Sequence, residues 1–141
     1  MPGEKKPKMF DLTTRKVADF ADKGAEMQIA DPSNGELVDA FIRVLGTDSA
    51  EYQKRVRAWL EKSRAKPVKQ ITLADSEKSA MENRIACVIG WRGIALDGKE
   101  LEHSPENVRL VLTDPNYRWL CEQIDAFMAE RENFIKSSGK S

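Results

Sequence analysis

Apolar positions along the chain change period several times, and each change marks an element. Val17, Phe20 and Ala21 fall at helical spacing after Thr13 or Thr14 as a cap, and Gly24 is placed to end that short helix. Met27 and Ile29 then alternate with polar neighbours. Asp31-Pro32-Ser33-Asn34-Gly35 supplies the restricted and positive backbone angles of a tight turn, and Phe41 to Leu45 is a β-favouring run. The expectation is a β-hairpin over about 26–45. One face of its second strand carries Ile42 and Val44 and the other Phe41 and Leu45, so helices must cover at least one of them.

After Gly46-Thr47-Asp48-Ser49 the period returns to helical. Asp48 with Glu51 three residues on is an N-cap signal, and Tyr52, Val56, Trp59 and Leu60 follow on one stripe, predicting a helix from Ser49 to Arg64. Pro67 closes it, and a linker runs to about Leu73. Asp75 is placed to cap a further helix whose apolar face uses Met81, Ile85, Val88 and Ile89, with Gly90 at its end. Trp91 to Lys99 reads as a loop or small hairpin around the Asp97-Gly98 turn signal. Ser104-Pro105 and Asp114-Pro115 are two helix starts, each a capping side chain before a proline at the first helical position. The second launches the strongest pattern, Tyr117, Leu120, Cys121, Ile124, Phe127 and Met128, continuing to Phe134 and Ile135.

The sum is an α+β fold: a mainly helical single domain with an N-terminal β-hairpin. It spans 10–135, with the helical body over about 49–135 and disordered tails at 1–9 and 136–141. A chain of 141 residues is the usual size of one domain. Its 40% hydrophobic and 33% charged residues are globular composition, and the longest apolar runs, such as Ile85-Ala86-Cys87-Val88-Ile89, are far too short to span a bilayer. The first residues lack the apolar stretch of a secretory signal, so the protein is expected to stay where it is made.

A formal net charge of zero argues against a protein built to coat nucleic acid or an anionic membrane. The charge is unevenly spread: from Lys54 to Lys69 seven basic residues face one acid, Glu61, whereas the segment after Asp97 is acidic. No helix-turn-helix, zinc-finger or RNA-binding signature accompanies the basic stretch, which therefore reads as a solvated or protein-docking face before a nucleic-acid surface. Catalytic chemistry finds little support. His103 is the sole histidine, and no G-x-S-x-G elbow accompanies it, so a solvated loop side chain is expected. Cys87 and Cys121 sit inside apolar helical patterns, where a free thiol packs as a small hydrophobe, and with one histidine they do not make a zinc site. Ser138-Gly139-Lys140-Ser141 lacks the upstream glycine and following helix of a phosphate loop, and Asp97, Glu100 and Glu102 lack the calcium-loop pattern. The expectation is a protein that is not an enzyme and takes no cofactor or metal.

The aromatic residues point to protein partners. Trp59 lies on its helix's apolar stripe and is expected in the core. Trp91 is expected to plug the gap after Gly90, with Gly93 permitting a tight backbone path. Trp119 falls off the Leu120–Ile124 line with Glu122 and Gln123, which makes it either a candidate hot spot or, equally, a side chain that caps the neighbouring loop or packs under the N-terminal hairpin. Trp91, Arg92, Trp119, Phe134 and Ile135 are the candidate client or self-contacts, because they occupy loop, off-stripe or tail positions.

In their order and spacing, Asp31-Pro32-x-x-Gly35, a strand ending in Gly46-x-Asp48-Ser49, a Tyr-containing basic helix, Trp91-x-Gly93 and Ser104-Pro105-Glu106-Asn107 resemble the small tail assembly chaperones of long-tailed, siphovirus-like bacteriophages. The resemblance covers roughly residues 10 to 135. It implies an assembly factor, encoded by a phage or prophage and made in the host bacterial cytoplasm, that binds the tape-measure protein and tail-tube subunits and is left out of the mature virion. The family offers no catalytic residues, and a bipolar chain of this kind can also form a homo-oligomer. The competing expectations are a structural minor tail or head-tail connector protein of the virion and, behind it, a nucleic-acid-binding regulator.

Overall fold

The computed structural model describes residues 8–65 and 72–138. Of the expected tails at 1–9 and 136–141, residues 1–7 and 139–141 lie outside the described residues, as does most of the linker after Pro67, while Lys136 to Ser138 belong to a helix and not to a tail. Asp11 opens the described chain by capping a 3-10 turn, Leu12–Arg15, through Thr13 N–H. Helix α1, Val17–Lys23, follows without a side-chain cap of its own, so neither Thr13 nor Thr14 is its N-cap. Gly24, at φ 79°, ends it and turns the chain into strand β1, Ala25–Ala30.

The expected hairpin is present. Asp31 builds its turn, accepting from Ser33 N–H at 2.8 Å while Gly35 N–H donates to the Asp31 carbonyl at 2.7 Å. Strand β2, Leu37–Val44, returns antiparallel with Met27 opposite Ile42 and Ala25 opposite Val44. The period of two sorts the faces: Met27, Ile29, Ile42 and Val44 are buried, while Glu26 and Arg43 point to solvent.

The sheet has a third strand that the apolar spacing assigns to a helix. Helix α2, Ala50–Arg64, and helix α3, Leu73–Cys87, come first. Helix α3 stops at Cys87, and Val88–Arg92 forms strand β3, paired antiparallel to β2 with Trp91 opposite Ile42, in the order β1-β2-β3. A short apolar run such as Val88-Ile89 fits either period. What decides is the other edge of β2, whose N–H and C=O groups need partners once that strand is buried. Strands β4, Ala95–Leu96, and β5, Lys99–Glu100, then make the small hairpin, with Asp97 and Gly98 both at positive φ, as a two-residue primed turn requires.

Both Pro-marked starts are real, with Ser104 Oγ capping α4, Pro105–Leu112, through Asn107 N–H. Asp114 opens a 3-10 turn, Pro115–Tyr117, that leads into α5, Arg118–Ala129. Two caps differ from expectation by a few residues. Ser49, not Asp48, caps α2 and accepts from Tyr52 N–H at 3.2 Å, which frees Asp48 to pair with Arg131 at 2.7 Å. Thr72, not Asp75, caps α3, and Asp75 completes a capping box from the third helical position.

The C-terminal pattern is two helices. Glu130 is extended, at φ −91° and ψ 102°, so α6, Arg131–Ser138, folds back against α1 and β1 instead of prolonging α5. One core results, between the inner face of the sheet and α3 to α6, centred on Ile42, Val44, Val108 and Ile124.

Cys87 and Cys121 are both free and buried in it, as the apolar pattern expects. Desolvation pushes the Cys87 thiol up to about 11, and burial raises that of Cys121 as well. A thiolate is the reacting form, so at pH 8 roughly one Cys87 in a thousand is reactive. Ellman's reagent is expected to leave both thiols untouched in the native protein and to titrate both in guanidinium. Rapid labelling without denaturant would contradict their burial.

Candidate protein-interaction surface

The five residues singled out by the sequence do not form one patch. Trp91 is half-buried on β3, its indole N–H donating to the Leu101 carbonyl at 2.8 Å and its ring meeting His103 edge-on at 5.5 Å. It packs, as expected. His103 does more than the solvated loop residue expected of it, because its Nε2 also lies 3.1 Å from the Val88 carbonyl and clasps the approach to α4 onto β3. Arg92 is exposed on the outer face of the sheet, but it already lies over the Phe41 ring at 3.9 Å and pairs with Glu26 through Nε at 3.0 Å.

The remaining three depart from the expected free surface. Phe134 is 3% exposed and packs edge-on against Phe127 at 5.7 Å, because the break at Glu130 returns α6 to the core. Ile135 beside it is half-buried. Trp119 is half-buried against the core, although it lies off the main stripe of α5. The reason sits one turn on, where Gln123 faces the edge of β1. Its amide takes the place of a neighbouring strand, Oε1 accepting from Ala30 N–H at 3.0 Å and Nε2 donating to the Ala30 carbonyl at 2.8 Å. The flank of α5 carrying 119 and 123 is therefore turned to the sheet edge.

Exposed apolar side chains stand singly or in pairs at Leu37, Val38, Ile89 and Leu110, and two further places carry apolar surface beside other features of note. The first is the pair α2 and α3. Helix α2 has 15 residues and not one is buried, so its Tyr52-Val56-Trp59 stripe is only half-covered and Leu60 stays 44% exposed. The expectation of a core role for Trp59 fails because, among the described residues, α2 packs chiefly against α3 and only lightly against α1. On α3 burial begins only at Asn83, and Leu73 at the other end is exposed. Between the two helices lies an open groove of about 780 Å³ lined by Trp59, Ala58, Lys78 and Glu82. Asn83 also lines it, 8% exposed, with no hydrogen-bond partner for its Oδ1 among the described residues. A buried acceptor left so costs about 1–3 kcal/mol. The solvent side of α2 presents Lys54, Arg57 and Arg64.

The second place is the start of the described chain, where Met9, Phe10 and Leu12 are exposed by 94%, 66% and 76%. This segment is shaped even so, with Asp11 capping the turn and Arg15 over the Phe10 ring at 5.4 Å. On another side of the molecule, between α3 and the α4–α5 junction, runs a groove of about 520 Å³ with Met81, Leu112 and Pro115 in its wall. Four carboxylates line it, Glu77, Asp114, Glu122 and Asp125, against two guanidinium groups, Arg84 and Arg118. Arg84 is already paired with Asp125 at 2.6 Å.

Sequence reasoning passed over Asn83 and the Met9-Phe10-Leu12 triplet. A polar residue one position from a helix stripe gives no sign that it is buried, and Met9 beside a lysine-rich start reads as tail, while Phe10 and Leu12 fall at the start of the domain with no periodic partner. The signal that was present is Asp11-x-Thr13, a cap two residues ahead of a threonine. Among the described residues no group of three or more His, Cys, Asp or Glu side chains could hold a metal ion, and no helix is long and apolar enough to cross a membrane. No family model, curated protein or solved structure matches the chain.

Proposed function

We propose that this protein is a non-enzymatic tail assembly chaperone of a long-tailed phage, binding the tape-measure protein and tail-tube subunits in the host cytoplasm and absent from the finished particle. The observation that carries the protein-binding reading is the α2–α3 pair: a 15-residue helix with no buried residue, a half-covered tryptophan stripe, and a buried acceptor in the adjoining groove with no partner among the described residues. Partner-binding surfaces centre on such aromatic anchors ringed by charge. The phage assignment is supported by the ordered motifs from Asp31-Pro32 to Ser104-Pro105-Glu106-Asn107.

The test is co-expression with a tape-measure protein from the same phage, with mass spectrometry of co-purified proteins and of purified particles. The chain is expected to keep the tape-measure protein soluble and to be missing from particles, and Trp59→Glu is expected to abolish the rescue while leaving the fold intact. Finding the protein in particles would transfer the assignment to a structural tail or connector component. Recovery of nucleic acid alone, through Lys54, Arg57 and Arg64, would replace it with the regulator.

A further inference from the structure

Three large apolar side chains within four residues, all mostly in water, are the densest exposed apolar group among the described residues. Scattered exposed hydrophobes are normal, whereas a contiguous group calls for a partner surface. The segment also carries a net positive charge, three lysines against Asp11, whose carboxylate is engaged by Thr13. Lys8 immediately precedes Met9, and Lys5 and Lys6 stand just before it in the sequence. A basic and apolar strip of chain thus requires an acidic and apolar receptor.

The groove between α3 and the α4–α5 junction has that chemistry. Its apolar wall is Met81, Leu112 and Pro115, and Glu77 and Glu122 at its rim are exposed. A volume of about 520 Å³ falls among clefts that enclose a drug-sized molecule, about 300–1,000 Å³, and so can take a side chain as large as phenylalanine. The groove beside Trp59 suits this strip less well, because Arg55, Lys62 and Lys78 offset its carboxylates.

We propose that the segment Lys5–Leu12 of one copy docks in the α3/α4–α5 groove of a second copy, with Phe10 and Leu12 as anchors and the lysines facing Glu77 and Glu122. The segment leads into α1, whose neighbours are α6 and α2, and Met9, Phe10 and Leu12 stay exposed in their own chain. Segment and groove are different surfaces, so the contact is heterologous: reciprocal exchange closes a dimer, and one-way exchange builds a ring or a filament. This inference concerns self-assembly and does not depend on the identity of any client.

The test is sedimentation velocity of the full chain at rising concentration. Self-association is expected, weakened about tenfold or more by the double variant Phe10→Asp, Leu12→Asp and by Glu77→Lys, Glu122→Lys. All four positions are exposed, so the thermal transition should stay in place, which separates lost docking from lost folding. A charge swap makes the pairing specific. A chain with Lys5→Glu, Lys6→Glu and Lys8→Glu should fail to assemble alone, as should the groove variant, while an equimolar mixture of the two recovers assembly. A chain that stays monomeric throughout, or oligomers indifferent to both sets of changes, would overturn the proposal.

Discussion

Phe134→Ala is expected to destabilise the protein by about 3–5 kcal/mol, the range for removing a buried phenylalanine and leaving a cavity. For a chain of this size that is a fall of about 10–15 °C in the melting transition. Phe134 is 3% exposed, meets Phe127 edge-on, and stands against Gly46, where an added Cβ would lie 3.1 Å from the Phe134 ring. Gly46, Ala21 and Phe134 are thus fitted together where α1, the end of the hairpin and α6 converge. A client-binding phenylalanine would behave oppositely: its loss would leave the melting curve in place and weaken association. Differential scanning calorimetry of Phe134→Ala beside Phe134→Leu distinguishes the two, since leucine keeps most of the volume and should cost about 1–1.5 kcal/mol.

Gly93→Ala is expected to produce the other large effect. At φ 76° an alanine pays about 1–2 kcal/mol for the left-handed backbone. Its Cβ would also run into the Asp39 carbonyl and lie 3.2 Å from Ala40 Cα, both backbone atoms of β2 that cannot swing aside, adding about 1–3 kcal/mol of overpacking. Gly98→Ala supplies the control, because Gly98 has nearly the same φ, 78°, and nothing within 4 Å of the added atom. Urea denaturation should therefore show Gly98→Ala losing only the backbone part and Gly93→Ala losing clearly more. Equal losses would mean that the approach of Gly93 to β2 carries no steric constraint.

The candidate surface was far less legible in the sequence than the fold. Trp91 packs and Gly93 takes a tight path as expected, but Trp91 lies on β3 and not in a loop, and the close approach at Gly93 is to Asp39 of β2, which the local pattern does not show. Arg92 was judged free because a loop arginine has no visible partner, yet Glu26 and Phe41 reach it across strands 50 or more residues away in the chain. The packing of Trp119, which the spacing leaves open between exposure and a place under the hairpin, and that of Phe134, expected at the surface, have a related cause. Helical periodicity identifies one stripe per helix, but α5 is flanked both by other helices and by the edge of β1, so more than one flank is covered. Trp59 shows the reverse error, an apolar stripe covered chiefly by α3, with α1 meeting the helix only lightly.

What the sequence by itself determined is whatever one turn of chain decides. Asp31 to Gly35 makes its turn, Asp97-Gly98 its hairpin, and Ser104-Pro105 and Asp114-Pro115 their starts, because each depends on backbone angles and hydrogen bonds between residues at most a few positions apart. What only the tertiary structure decided is where one element finds a partner in another. Val88–Arg92 is a strand because β2 has a free edge, Phe134 is core because Glu130 breaks the helix and α1 and β1 receive it, and Asn83 is buried because α2 lies over α3. Hydrophobic spacing states that a face must be covered. It carries no information on which distant surface covers it, since burial depends on apolar area removed from water and not on the identity of the neighbour that removes it.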